Sequence, residues 1–77
     1  MTVQVRFFAS LRERLGIDDM QISLRAGTTV ADVWREVLGE VELPANTLIA
    51  INQDYATLDT PVRDGDEVAF FPPVTGG

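Results

Sequence analysis

The sequence predicts an α+β fold, a mixed sheet of about five strands with one main helix and one short helix on one face. Three observations predict it. Apolar and polar residues alternate near both ends of the chain, as in half-buried strands. Five apolar residues in the middle fall at helical spacing and form a single stripe. The elements between them run in the order strand, short helix, strand, main helix, then three strands.

Val3, Val5 and Phe7 alternate with Gln4, Arg6 and Phe8, predicting a strand over Thr2–Phe8. Ser10-Leu11-Arg12-Glu13 has capping-box spacing, so a short helix is expected to start at Ser10 and to stop at Gly16. Met20, Ile22 and Leu24 alternate with polar neighbours and predict a second strand before the Ala26-Gly27 turn. Thr28 or Thr29 can cap the main helix, with Asp32 favoured in its first turn. Val30, Val33, Trp34, Val37 and Leu38 are its apolar stripe, and Gly39 its stop. Trp34 lies in mid-stripe, which makes it core rather than a stacking platform for a ligand. Leu48-Ile49-Ala50-Ile51 reads as a buried strand, Asn52-Gln53-Asp54 as a turn and Tyr55-Ala56-Thr57 as a short return strand. Val62-Arg63-Asp64-Gly65-Asp66 is a turn in which Gly65 can take positive φ. Glu67–Phe71 is the last strand, ended by Pro72-Pro73, neither of which can donate to a ladder.

One helix with one apolar stripe is satisfied by packing on one sheet face. Right-handed crossover then sets the first and last strands side by side and parallel. That arrangement is the β-grasp, or ubiquitin-like, fold. Residues 1–73 are expected to form it, with residues 74–77 an extended, mobile tail.

Composition narrows the chemistry. The chain has 77 residues, 45% of them apolar, which suits one domain with a modest core. It contains no Cys, no His and no Lys; all six basic residues are Arg. The thiolate nucleophile, the usual base near neutral pH and the Schiff-base amine are therefore missing, as are zinc sites built from Cys and His. A net charge of −6 argues against nucleic acid and anionic membranes as partners and suits a basic protein partner. No apolar run approaches the length of a membrane span, and the N-terminus lacks signal-peptide order, so a soluble, cytoplasmic protein is expected.

Two constellations remain as carriers of function. At the chain end, Gly76 and Gly77 follow a Pro-Pro stop, and two residues without side chains can thread a narrow channel and expose an unhindered carbonyl carbon. On the sheet, strand parity places Phe7 and Phe70 inward and Phe8 and Phe71 outward. With the first and last strands adjacent, Phe8 and Phe71 meet on the open face, and Tyr55 can extend that patch; such a surface marks a contact site. Asp64-Gly65-Asp66-Glu67 lacks the ligand spacing of a calcium loop and reads as a solvated turn.

Phe7-Phe8-Ala9-Ser10-Leu11-Arg12-Glu13 and Asp64-Gly65-Asp66-Glu67-Val68-Ala69-Phe70-Phe71-Pro72-Pro73-Val74-Thr75-Gly76-Gly77 closely resemble the small subunit of molybdopterin synthase, the MoaD family. The likeness spans the whole chain in length and element order. It is most specific in the last fourteen residues and loose from about Arg25 to Thr47.

The resemblance implies a sulfur carrier that is not an enzyme on its own, but the sulfur-donating subunit of a sulfurtransferase. An adenylating enzyme related to ubiquitin activators would spend ATP to convert the Gly77 carboxylate to an acyl-adenylate. A persulfide donor would then leave a C-terminal thiocarboxylate, with no bound cofactor. The large synthase subunit would take the tail, and sulfur would pass to precursor Z (cyclic pyranopterin monophosphate) to build the molybdopterin dithiolene, within a heterotetramer. By position, Gly76 and Gly77 would be the tail site, and Phe8, Tyr55, Phe71, Pro72, Pro73, Val74 and Thr75 would contact the partner. A carrier for thiamine, thiolated tRNA or cysteine is the nearest rival; a ubiquitin-like modifier of lysines and a plain interaction module are the others.

Overall fold

The computed structural model describes residues 1–72. Alternation at the N-terminus produces β1 (Thr2–Phe7), in which Val3, Val5 and Phe7 are buried. It is followed by α1 (Ala9–Leu15), β2 (Asp19–Ser23), α2 (Val30–Leu38), β3 (Leu48–Ile51), β4 (Asp54–Ala56) and β5 (Glu67–Phe71). The strands form one sheet in the order β2-β1-β5-β3-β4, with β1 and β5 parallel and the other pairs antiparallel. The β-grasp arrangement expected from the element order is the one found.

The core lies between α2 and one sheet face. Val5 pairs with Val68 and Phe7 with Phe70 across the parallel ladder, and all four are buried. Phe7 and Phe70 stack at 5.5 Å, and Trp34 meets both rings edge-on at 6.0 and 5.1 Å. The indole Nε1 donates to the Val41 carbonyl at 2.7 Å, so burying Trp34 leaves no polar atom without a partner. The sequence-derived stripe holds: Val30, Val33 and Trp34 are buried, while Val37 and Leu38 pack half-buried at its margin.

Thr29 rather than Thr28 caps α2. Its Oγ1 accepts from the Asp32 N–H while its own N–H donates back to Asp32 Oδ2 at 3.0 Å, a complete capping box. Gly16 ends α1 in the left-handed region, with φ 70°.

The capping box expected at Ser10 does not form. Phe8 is the N-cap, whose phenyl side chain carries no acceptor for a cap bond, and its N–H is held by the Phe70 carbonyl at 3.2 Å. The Leu11 and Arg12 N–H groups both reach the Phe8 carbonyl, so the helix starts one residue early and places Ser10 inside its first turn. Ala9 takes φ 52° to make that corner. The sheet, which continues through the Phe8 N–H, overrides the local capping preference.

The β3–β4 turn is also shorter than expected. Asn52 and Gln53 both have positive φ, which closes a two-residue hairpin and pairs Ile51 with Asp54. β4 therefore runs one residue ahead of the Tyr55–Thr57 expectation. Asn52 clips this turn to β5: its Nδ2 donates to Asp66 Oδ1, and its Oδ1 accepts from the Glu67 N–H. Asp66 Oδ2 also accepts from the Arg63 N–H, and Asp64 Oδ1 accepts from the Thr2 N–H. The carboxylates of this turn bind the chain's own amides, in agreement with the solvated-turn reading.

The Thr29 N–H and O–H hold the Asp32 carboxyl below its ordinary value of 3.8. A depressed folded-state pKa adds stability that is present above the unfolded value and is lost as pH falls through the folded value. The melting temperature is expected to drop as pH falls below about 4, and Asp32→Asn to flatten part of that drop. Thr29→Ala should cost about 1 kcal/mol at neutral pH, measured by thermal denaturation.

Candidate functional surface

Residues of β5 alternate between the two faces of the sheet, so Val68 and Phe70 enter the core while Ala69 and Phe71 face away from it. The ladders extend that parity across the sheet. Ala69 lies beside Arg6 of β1 on one side and Ala50 of β3 on the other; Phe71 lies beside Leu48, and Ala50 beside Tyr55 of β4. All of these belong to the face that carries no helix.

Phe8 follows β1 and reaches the same face at the end where β5 finishes. Its ring stacks on Phe71 with centroids 4.6 Å apart and planes 9° apart. Each Phe is half-buried, because each covers the other. This answers how a small domain tolerates two outward phenylalanines: stacking removes part of their area from water and leaves one flat edge exposed.

Beside the stack lies a shallow depression of about 510 Å³, bordered by Ala9, Leu48, Ala50, Gln53, Tyr55, Phe71 and Pro72. The small side chains of Ala50 and Ala69 keep the sheet low between taller neighbours. Tyr55 stands at the far rim, 82% exposed.

Arg6 borders the aromatic pair from β1. Its guanidinium lies 5.1 Å from the Phe8 ring centroid, with Nε on Asp19 at 3.2 Å and Nη1 on Glu67 at 3.7 Å. The Asp19 hydrogen bond keeps this guanidinium more firmly protonated than usual. A cation over a ring and two carboxylates beside it fix Arg6 in place and steady the Phe8 ring.

The structure thus brings together Phe8, Phe71, Pro72 and Tyr55, four of the residues singled out from sequence. Pro73, Val74, Thr75, Gly76 and Gly77, and with them the expected boundary between residues 73 and 74, lie outside the described residues. Sequence reading missed Arg6, Ala9, Leu48, Ala50 and Gln53. The parity of Arg6 with Phe8 was a usable signal. Membership of Leu48 and Ala50 depends on β3–β5 register, which no local pattern states. Among the described residues, no group of three or more His, Cys, Asp or Glu could hold a metal ion. None of their helices is long and apolar enough to cross a membrane.

Residues 5–77 match the ThiS family. The chain is 40% identical over 84 residues to the molybdopterin synthase sulfur carrier subunit of Escherichia coli strain K12, covering 97% of this chain and 99% of that one. Its fold superposes on the crystal structure of small archaeal modifier protein 1 of Haloferax volcanii with a TM-score of 0.81. That match has 26% identity and covers 95% and 98% of the two chains. A chain in the complex of subunits 1 and 2 of the molybdopterin-converting factor of Helicobacter pylori 26695 matches with a TM-score of 0.68 and 32% identity, covering 100% of both.

The two faces predict opposite responses to one substitution. Phe70→Arg should abolish cooperative unfolding, because losing a buried Phe alone costs about 3–5 kcal/mol and a domain of this size holds about 4–12 kcal/mol. Phe71→Arg should keep a cooperative transition with a modestly lower midpoint. Urea denaturation followed by circular dichroism distinguishes the two outcomes.

Proposed function

The chain belongs to the ThiS family, among its MoaD-like members, and on that premise we propose that it is the sulfur carrier subunit of a molybdopterin synthase with the Gly77 carboxyl as its working group. The observation that carries the reading is the Phe8–Phe71 stack. It makes a flat apolar docking edge beside Pro72, only five residues before Gly77. A partner that grips this edge also receives the tail at a set distance from its own reactive centre. The family match running through residue 77 supports the same reading.

A carboxylate is a poor electrophile until its oxygen is made a leaving group. An adenylating partner of the ubiquitin-activator class supplies this by joining the Gly77 carboxylate to the α-phosphate of ATP with loss of pyrophosphate. The outer sulfur of a persulfide donor then attacks the acyl carbon and displaces AMP, and a thiol cleaves the resulting acyl disulfide, leaving a thiocarboxylate on Gly77 and a disulfide on the donor. The large synthase subunit accepts the tail, and sulfur passes to precursor Z to build the molybdopterin dithiolene. Gly76 and Gly77 offer no side chain to obstruct either active site. Phe8, Tyr55, Phe71 and Pro72 form the docking surface, and Pro73, Val74 and Thr75 span the path to the reactive end. The chain binds no cofactor, works in the cytoplasm and joins two large subunits as one of two small ones.

A second reading is favoured by the likeness to small archaeal modifier protein 1: the same activated carboxyl joined to lysines of other proteins. Amide-linked adducts on other proteins would favour it, and a thiocarboxylate on the intact native chain favours the carrier.

Phe71→Arg is expected to weaken large-subunit binding, since burying each Phe contributes about 1.5–3 kcal/mol, one to two decades of affinity. Unchanged co-purification with the large subunit would refute the docking surface. One residue added after Gly77 should eliminate sulfur transfer with the melting temperature unchanged. The carboxylate moves by about 3.5 Å, far outside the tolerance of an attack geometry. Deleting Gly77 should fail because the carboxylate stops short. Normal molybdopterin formation by the extended chain would show that Gly77 is not the working group.

A further inference from the structure

An activated carboxyl is a hazard to the chain that carries it. Acyl-adenylates react with amines and thiols, and a protein present at high local concentration is its own first target. The side chains that would attack are Lys, Cys and His, and this sequence contains none of the three. Its six cations are all Arg, whose guanidinium stays protonated and does not acylate under such conditions. Hydroxyls remain, including that of exposed Tyr55, but an alcohol or phenol without an adjacent base is a weak nucleophile.

One amine is left, the Met1 terminus, and the fold disposes of it in two ways. Its nitrogen donates to the Leu24 carbonyl at 2.9 Å in a half-buried setting, while the Leu24 N–H donates back to the Met1 carbonyl at 2.7 Å. The parallel pairing of β1 and β5 also sets Met1 at the opposite end of the sheet from Phe71. From the level of Phe8 back to Met1 is seven residue steps, about 23 Å at strand rise. Residues 72–77 extend at most about 20–22 Å. Only a tail laid back along the sheet at its full length would bring its carbonyl carbon near the Met1 nitrogen.

We infer that this chain is a self-inert acyl donor: its activated carboxyl can be consumed by a partner's nucleophile but not by its own chain or by a second copy. The inference rests on the proposed activation of Gly77 and adds to it a restriction on products. If the chain is joined to an amine, that amine attacks the acyl carbon, AMP leaves, a proton is lost and one amide forms. The attached copy then presents no lysine for another, so every modified amine carries a single copy and no chain of copies grows.

The test uses the full chain, ATP and an adenylating enzyme of the ubiquitin-activator class, without sulfur donor or large subunit, followed by intact mass. Hydroxylamine in a parallel reaction traps the acyl-adenylate as a C-terminal hydroxamate. No hydroxamate would overturn the activation of Gly77 and this inference with it. With hydroxamate formed, the natural chain should yield no amide-linked dimer when hydroxylamine is left out. Arg25→Lys and Arg35→Lys, which place an amine on the helix-bearing side far from the aromatic stack, should yield dimers and longer products at twice the chain mass less water and beyond. Amide-linked dimers of the natural chain in amounts matching those of the lysine variants would overturn the inference. Failure of both lysine variants to cross-link would do the same, because lysine absence would then not be the protection.

Discussion

The parallel pairing of β1 with β5 is the contact on which the other features depend. It is made by the two ends of the described chain, and it forms the centre of the sheet. Its register places Phe7 opposite Phe70, which supplies the two rings that Trp34 packs against. Continued by one residue, the same register brings Phe8 against Phe71 on the opposite face. The core and the outward aromatic pair are therefore built from one pair of Phe-Phe steps. The pleat, with a period of two, assigns one ring of each step to each face.

That shared origin explains why much of the fold was legible in the sequence. Alternation in Val3–Phe8 and Glu67–Phe71, the stripe from Val30 to Leu38 and a threonine cap ahead of Asp32 are local patterns, and each maps onto its element, although only the structure chooses Thr29 over Thr28 and shows the capping box. The misreadings have a common cause. Ser10 has the spacing of a cap, but the Phe8 N–H is committed to the Phe70 carbonyl, sixty-two residues away in sequence. Tyr55 begins no strand because Asn52, held by Asp66 and the Glu67 N–H, closes its turn with only two residues. In both places a long-range partner overrode a local preference, and single-sequence patterns carry no record of such partners.

The surface was legible to a similar degree. Phe8, Phe71 and Tyr55 followed from parity, while the floor formed by Ala50 beside Ala69 required the register of β3 on β5. Half-burial of the aromatic pair also required the structure, because stacking is a mutual property of two distant residues. The result is a face divided by chemistry. Apolar rings and a low trough lie at the end where β5 finishes, and Arg6 with Asp19 and Glu67 forms a charged border beside them.

The distribution of the aromatic chromophores has a practical consequence. Trp34 is the sole indole, 5% exposed, hydrogen-bonded to Val41 and packed on Phe7 and Phe70, so its fluorescence reports the interior alone. Tyr55 is the sole phenol and stands in solvent on the opposite face of the sheet. Folding and association thus have separate intrinsic optical reporters in one unlabelled chain. Emission from the indole follows denaturation, and absorbance or quenching of the phenol follows events at the surface.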